Sequence, residues 1–210
     1  APGLVAYFLR RTIMRVTSHE ASLIRQLRRR NHDLEAALDN LYVTSHQLSR
    51  TEELIRTDEL TGLYNRRAFY EQGVQQFRQA QRAGQSLSVA MIDLDFFKTI
   101  NDDHGHASGD AALIAFARCL REALPDTLLG RLGGEEFALV SHLDAASLAV
   151  LLDQLRHTCA ALKYANGAPP LSFSAGVYHG APDDLESLLH EADQRLYQAK
   201  RAGRGRTLYA

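Results

Sequence analysis

Four acids lie at the ends of two apolar runs. In LSVAMIDLDFF (Leu87–Phe97), Asp93 and Asp95 flank Leu94; in RLGGEEFALV (Arg131–Val140), Glu135 and Glu136 follow Gly133 and Gly134. An acid inside an apolar strand is costly to bury unless a cation or a metal answers it. Asp93 and Asp95 are expected to point apart, so that only one of them shares a site with the glutamates. Two glycines between strands suit a tight hairpin turn, because glycine tolerates positive φ. Adjacent carboxylates at such a turn repel each other until something cationic sits between them. Each acid also has a plain structural reading: Asp93 as a strand-end acid facing a basic neighbour, the glutamates as a solvated turn. Together they offer hard oxygen ligands from two chain segments, the set that suits Mg²⁺ when it also grips a nucleotide's phosphates. The turn glycines would let a phosphate or ribose approach the backbone closely.

The elements that must position these acids follow from periodicity. "DELTGLYNRRAF" (Asp58–Phe69) holds a turn at Thr61-Gly62 and a helix cap at Asn65, with the helix running to about Ala83. Leu87–Phe97 reads as a buried strand, "INDDHGHASGD" as a loop, and Ala111–Leu124 as a helix. Strands at Leu128–Leu132 and Glu136–Val140 flank the Gly-Gly turn. Ala145–Lys163 reads as a helix, "PPLSFSAGVYH" as a strand, Leu185–Arg201 as a last helix and Thr207–Tyr209 as an edge strand. This order predicts an α+β fold, a central mostly antiparallel sheet flanked by helices. Lys98 and Arg131 are read as structural ion-pair partners. His104 and His106 lie close together but lack a third metal ligand.

Before this domain the apolar positions step by three and four. Ile24, Leu27, Asn31, Leu34, Leu38, Leu41, Ser45, Leu48, Glu52 and Ile55 occupy alternate a and d heptad places, without Pro or Gly. That predicts a long coiled-coil helix, with Asn31 at an a position favouring a parallel dimer in fixed register. Ser45 and Glu52 should weaken the seam toward its end. Residues 1–56 are therefore assigned to a helical stalk and 57–210 to the globular domain.

With 45% apolar and 23% charged residues, the 210-residue chain has the composition of a globular protein with a core. A formal net charge of -1 gives no reason to expect nucleic-acid binding. Seven arginines and one acid (Glu20) lie between Arg10 and Asn31, either a solvated helix face or a segment near an anionic inner leaflet. "LVAYFLRR" (Leu4–Arg11) reads as the stub of a membrane helix or as an amphipathic helix start. Cys119 and Cys159 sit in helical stretches without metal-ligand spacing, as buried thiols of a reducing compartment.

"DLDFFKTINDDHGHASGD" followed by "RLGGEEF" resembles the GGDEF domain of bacterial diguanylate cyclases in its GGEEF form. "DELTGLYNRRAF", "LSFSAGV" and "ADQRLYQAKRAGRGR" are similar to further family segments, in family order, so the likeness covers about Asp58 to Tyr209. The resemblance implies a nucleotidyl-cyclase-like fold and condensation of two GTP into cyclic di-GMP plus two pyrophosphates. Each domain of a homodimer would supply half of the active site. It further implies that Asp93, Glu135 and the Leu94 carbonyl ligate Mg²⁺, with Mn²⁺ as the alternative. Glu136 would bind a second metal or activate the ribose 3′-hydroxyl, completing a catalytic set of Asp93, Glu135 and Glu136. Asn101 and Asp110 match the guanine readers; an Asp carboxylate can accept from guanine N1–H and N2–H₂ together. The Phe96 and Phe97 amides, Lys200 and Arg204 match the phosphate-binding groups. Plainer readings stand beside these: Asp110 as a helix cap, Lys200 and Arg204 as a solvated helix end.

Where many members carry an Arg-x-x-Asp product-binding motif, this chain reads Leu124-Pro125-Asp126-Thr127, so no inhibitory product site is expected. The expected location is cytoplasmic, alone or as the cytoplasmic part of a membrane-anchored protein; whether a sensor or membrane segment precedes Ala1 is left open. The rival readings are a weak or inactive GGDEF module that binds nucleotide for signalling, a cyclase making a mixed adenine–guanine product, and a coiled-coil adaptor.

Overall fold

The structure is a computed structural model that describes residues 2–54, 56–180 and 184–210. The chain forms two compact units, Ala1–Ile55 and Arg56–Ala210. The first is a single helix, α1 (Pro2–Leu54). Its heptad residues Ile24, Leu27, Leu34, Leu38 and Leu41 are exposed, at 49 to 70%. Among the described residues this stripe is left to solvent, as an apolar helix face without a partner is. The side chains of Leu48 and Glu52, and all of Ile55, lie outside the described residues. No described helix is long and apolar enough to cross a membrane.

The second unit is a six-stranded sheet in the order β1-β3-β4-β2-β5-β6. Its strands are β1 (Tyr64–Asn65), β2 (Leu87–Leu94), β3 (Leu128–Gly133), β4 (Glu136–Ser141), β5 (Phe173–Gly180) and β6 (Thr207–Tyr209). The four central strands pair antiparallel, whereas β1 and β6 add parallel edges. Helices α2 (Arg66–Ala83) and α6 (Leu185–Arg201) cover one face; α4 (His106–Ala123) and α5 (Ala145–Ala160) cover the other. β2 is buried along its whole length, and its side chains alternate between the two cores. Val89 and Met91 pack with Phe69, Leu188 and Leu196, while Ile92 and Leu94 pack with Phe116, Phe137 and Phe173.

Local signals explain the helix ends. Asn65 caps α2 by accepting from the Ala68 N–H, and Gly84 ends it with φ 65. Asp144 and Asp184 accept from Ser147 and Ser187 to start α5 and α6. Cys119 and Cys159 are buried free thiols. Burial, with Cys119 alongside, pushes the Cys159 thiol up to about 12, so it stays protonated and unreactive.

One expectation is corrected here and one element is added. The segment read as a loop, Ile100–Asp110, is almost entirely helical: α3 (Phe97–His104) runs to His104 and α4 begins at His106. One residue separates them. Gly105, with φ 82 and ψ 160, turns the chain in a conformation that β-carbon sterics deny to other residues. The strand pair β1/β3, anchored by only two residues of β1, has no alternating pattern in the sequence and is an addition.

Candidate active site

The hairpin between β3 and β4 turns through Gly134 and Glu135, one residue later than the Gly-Gly pair suggests, because β3 extends through Gly133. Gly134 has φ 51, and an added β-carbon at either glycine would meet nothing within 4 Å. The turn is open on its outer side. Arg131 holds it from within, donating from Nε and a terminal nitrogen to the Gly134 carbonyl at 2.9 and 2.7 Å. The other end of the same guanidinium reaches both Asp58 oxygens at 3.1 Å. Burial alone would raise the Asp58 carboxyl. The Thr61 hydroxyl and N–H, together with Arg131, outweigh that and hold it below its ordinary value. Arg131 is thus the ion-pair partner expected of it. Lys98 is exposed and makes no ion pair among the described residues.

β2 brings Asp93 to the same sheet end. Asp93 lies opposite Glu136 in the β2/β4 register, and the Leu94 N–H donates to the Glu135 carbonyl at 3.3 Å. Its carboxylate meets Lys200 Nζ of α6 at 2.8 Å. Burial pushes the Asp93 carboxyl up; Lys200 pulls it back, and Glu135 and Glu136 add to the rise. Lys200 thus answers Asp93, while the two glutamates add negative charge nearby. Among the described residues no three His, Cys, Asp or Glu side chains are already gathered as a metal cage. That donor set fits a hard divalent cation that keeps few protein ligands and completes its shell with phosphate oxygens and water.

The raised Asp93 value has a measurable sign. The folded chain holds this proton more readily than the unfolded one, so ionising Asp93 removes stability as pH rises through its folded pKa. Asp93→Asn is therefore expected to melt at neutral pH between the wild-type temperature and about 3 °C above it. The gap should close in acid. A clear fall in melting temperature at neutral pH would mean that the Lys200 pair outweighs burial.

Asp93 and Asp95 do not point to opposite faces. Residues two apart on a strand share a face, and both carboxylates reach groups on the α6 side. Asp95 accepts from Ser174, the cross-strand partner of Asp93, at 2.7 Å. What separates them is direction along the sheet end: Asp93 meets Lys200, while Asp95 turns to β5 and the segment after α6.

Immediately beyond Asp95 the chain turns into α3. Phe96, the residue before the helix, has φ 57 and gives no side-chain cap, and Phe97 is the first helical residue. Uncapped N–H groups at a helix start suit an anion. Arg204 lies over the exposed Phe96 ring, its Cζ 5.2 Å from the centroid. Two cations, Arg204 and Lys200, thus flank this turn. Lys200 is occupied by Asp93 rather than forming a loose, solvated helix end.

Across the α3/α4 corner Asn101 packs on Gly109, the residue before Asp110. An added β-carbon at Gly109 would sit 1.9 Å from Asn101 Oδ1, so only glycine lets this side chain lie beside the residue preceding Asp110. Asp110 is exposed in the second turn of α4 and does not cap it; the residue before α4 is Gly105. The capping reading of Asp110 is therefore excluded. Gly105 and Gly109 carry this corner, and sequence reasoning misses them; the available signal is their five- and one-residue spacing ahead of Asp110. At the Leu124–Thr127 segment, Arg121 is turned away to the Thr61 carbonyl at 3.1 Å.

Residues 55–206 match the family described as diguanylate cyclase, GGDEF domain. Diguanylate cyclase DgcP of Pseudomonas aeruginosa is 43% identical over 157 residues, 71% of this chain and 23% of DgcP. Diguanylate cyclase VdcA of Vibrio cholerae is 34% identical over 186 residues, 85% of this chain and 54% of VdcA. The chain spans roughly a quarter to half the length of these curated relatives. The coiled coil and GGDEF domain of DgcB from Caulobacter crescentus, solved with c-di-GMP, superimposes with a TM-score of 0.69 at 30% identity. That match covers 88% of this chain and 99% of the DgcB chain. The active GGEEF domain of a Vibrio cholerae diguanylate cyclase gives a TM-score of 0.66 at 34% identity, covering 69% of this chain and 96% of the other. With the family model spanning nearly the whole globular unit, the chain belongs to the GGDEF diguanylate cyclase family.

Proposed function

We propose that the chain is a diguanylate cyclase, which joins two GTP molecules into cyclic di-GMP and releases two pyrophosphates. The observation that carries this reading is the register Asp93 opposite Glu136, which brings Asp93 and the Glu135-Glu136 turn to one sheet end, where β2 runs on into the uncapped start of α3. Asp93, Glu135 and the Leu94 carbonyl would hold a divalent cation, with Mg²⁺ favoured over Mn²⁺ because the donors are hard oxygens shared with phosphates. Bound there, the cation supplies charge neutralisation at the phosphates. The chain's own residues do the rest. Asn101 and Asp110 take the guanine, Asp110 accepting from N1–H and N2–H₂. The Phe96 and Phe97 amides with Lys200 and Arg204 take the triphosphate.

Glu136 accepts the proton of the 3′-hydroxyl as that oxygen bonds to the α-phosphorus of the facing GTP. The bond from the α-phosphorus to the β-phosphate oxygen breaks, and pyrophosphate leaves. A second, reciprocal attack closes the ring. Because each GTP presents its hydroxyl to the other, two domains must face each other. The exposed leucine seam of α1, with Asn31 setting register, is the means of joining two copies as a parallel coiled coil. The DgcB coiled coil and GGDEF domain supports this reading by its likeness. GTP as substrate supports a cytoplasmic setting for the catalytic unit.

The decisive experiment incubates the chain with GTP and Mg²⁺, then with ATP, and identifies products by mass. Cyclic di-GMP from GTP alone is expected, and GTP binding without product would identify a signalling module instead. In the same assay Asp110→Ala should lower the preference for GTP over ATP by about tenfold to a hundredfold, the worth of a charge-assisted base contact. An unchanged preference would remove Asp110 from the guanine site. Added product should not inhibit through Leu124–Thr127, since Asp126 is that segment's one charge and the nearby Arg121 is engaged elsewhere.

A further inference from the structure

Asp95 is a buried carboxylate answered only by neutral groups. It is 4% exposed, and no described ion pair reaches it. One oxygen accepts from the Ser172 hydroxyl at 2.7 Å and the Gly205 N–H at 3.0 Å; the other accepts from the Ser174 hydroxyl at 2.7 Å. Its own N–H donates to the Ser172 carbonyl at 2.8 Å. These bonds fasten three segments together: the end of β2, the start of β5 and the turn after α6.

On each side of this clamp sits a strained residue. Phe96 follows Asp95 and has φ 57; Arg204 precedes Gly205 and has φ 63. They are the two non-glycine residues with positive φ among those described, and their side chains stack on each other. Left-handed backbone at such residues persists only where the surroundings over-determine it. Asp95, bonded to the neighbour of one and adjacent to the other, supplies that constraint.

We propose that Asp95 is a positioning residue for the triphosphate: acting through Gly205 and Phe96, it holds the Arg204 guanidinium over the start of α3. This rests on the reading that GTP phosphates lie at that turn. A preset cation binds phosphate without first losing the freedom of a long side chain. The guanine contacts at Asn101 and Asp110 lie on a separate corner and do not depend on the clamp.

The test is a double-mutant cycle in the full chain. Affinities for 3′-deoxy-GTP, which lacks the attacking hydroxyl, and for GMP are measured with Mg²⁺ by titration calorimetry. Asp95→Ala and Arg204→Ala should each weaken 3′-deoxy-GTP by about tenfold, with the double variant no weaker than about twofold beyond either. GMP affinity should hold in all three. Phe96→Ala removes an exposed ring and leaves the core intact; it should be non-additive with Arg204→Ala in the same way. If Asp95→Ala does not fold, Asp95→Asn, which keeps the side-chain volume, takes its place in the first cycle with the same expected non-additivity. Additive losses in the cycle, or a lower melting temperature with unchanged 3′-deoxy-GTP affinity, would overturn the proposal. If the wild-type chain binds 3′-deoxy-GTP no better than GMP, the phosphate reading beneath it fails first.

Discussion

Glu136→Ala is expected to abolish cyclic di-GMP formation, by at least about 10³-fold, while leaving fold and dimer intact. Glu136 is exposed at the first position of β4, and its side chain makes no hydrogen bond or ion pair among the described residues. Removing it therefore takes no support from the hairpin, which Arg131 holds through the Gly134 carbonyl. What is lost is one of the two glutamates that add to the burial-driven rise of Asp93 at the sheet end. On the proposed chemistry, that carboxylate takes the proton from the attacking hydroxyl. The assay is product quantified by mass after incubation with GTP and Mg²⁺, with light scattering reporting the mass of the assembly. Turnover within about tenfold of wild type would sink the catalytic role. A particle of single-chain mass for both proteins would sink the dimer.

The second large effect concerns stability. Gly176, in the middle of β5, lies directly under α6: an added β-carbon would sit 2.0 Å from the Ala192 carbonyl oxygen and 2.2 Å from the Leu196 nitrogen. Both are backbone atoms of a helix, so no side chain can rotate out of the way. Gly176→Ala must push α6 off the sheet or bend β5, and should cost about 3 kcal/mol or more, a fall of roughly 6–12 °C in melting temperature. Since α6 carries Lys200 to Asp93, and the turn after it carries Arg204 to Phe96, turnover should fall too. Thermal unfolding followed by near-ultraviolet circular dichroism checks it. A change of less than about 2 °C would show that helix and sheet can slide apart freely, contrary to the close packing of protein interiors.

The two residues illustrate different kinds of information. Glu136 stands out in sequence because charge next to an apolar strand demands an explanation. Gly176 does not, because a glycine in a strand has several meanings and only the helix above it selects one. Lys200 is similar. A lysine near the end of a helix suits the dipole, and the salt bridge to a strand more than a hundred residues earlier depends on how α6 lies across β2 and β5.

The α3/α4 corner reads as a loop in sequence for a related reason. Its string of Asp, His, Gly and Ser residues has the composition of a connection. Composition describes average preference, whereas one glycine at φ 82 suffices to turn the chain between two helices. Asp93 and Asp95 read in sequence as facing apart, yet both face α6 and part only along the sheet end. Their separation comes from β5 and the Gly205 turn, which lie far away in the chain.

By itself the sequence determined the longer helices, the central strands, the stalk's heptads and the acids that need a cation. Those features are local: periodicity follows from the 3.6 and 2.0 repeats of the backbone, and charge in an apolar run reports a desolvation cost wherever the run is buried. The tertiary structure alone decided which groups answer those charges. Asp93 meets Lys200 and Asp95 meets neutral donors because β2, β5, α6 and the turn after α6 converge at one sheet end, and the short range of hydrogen bonds makes that convergence decisive.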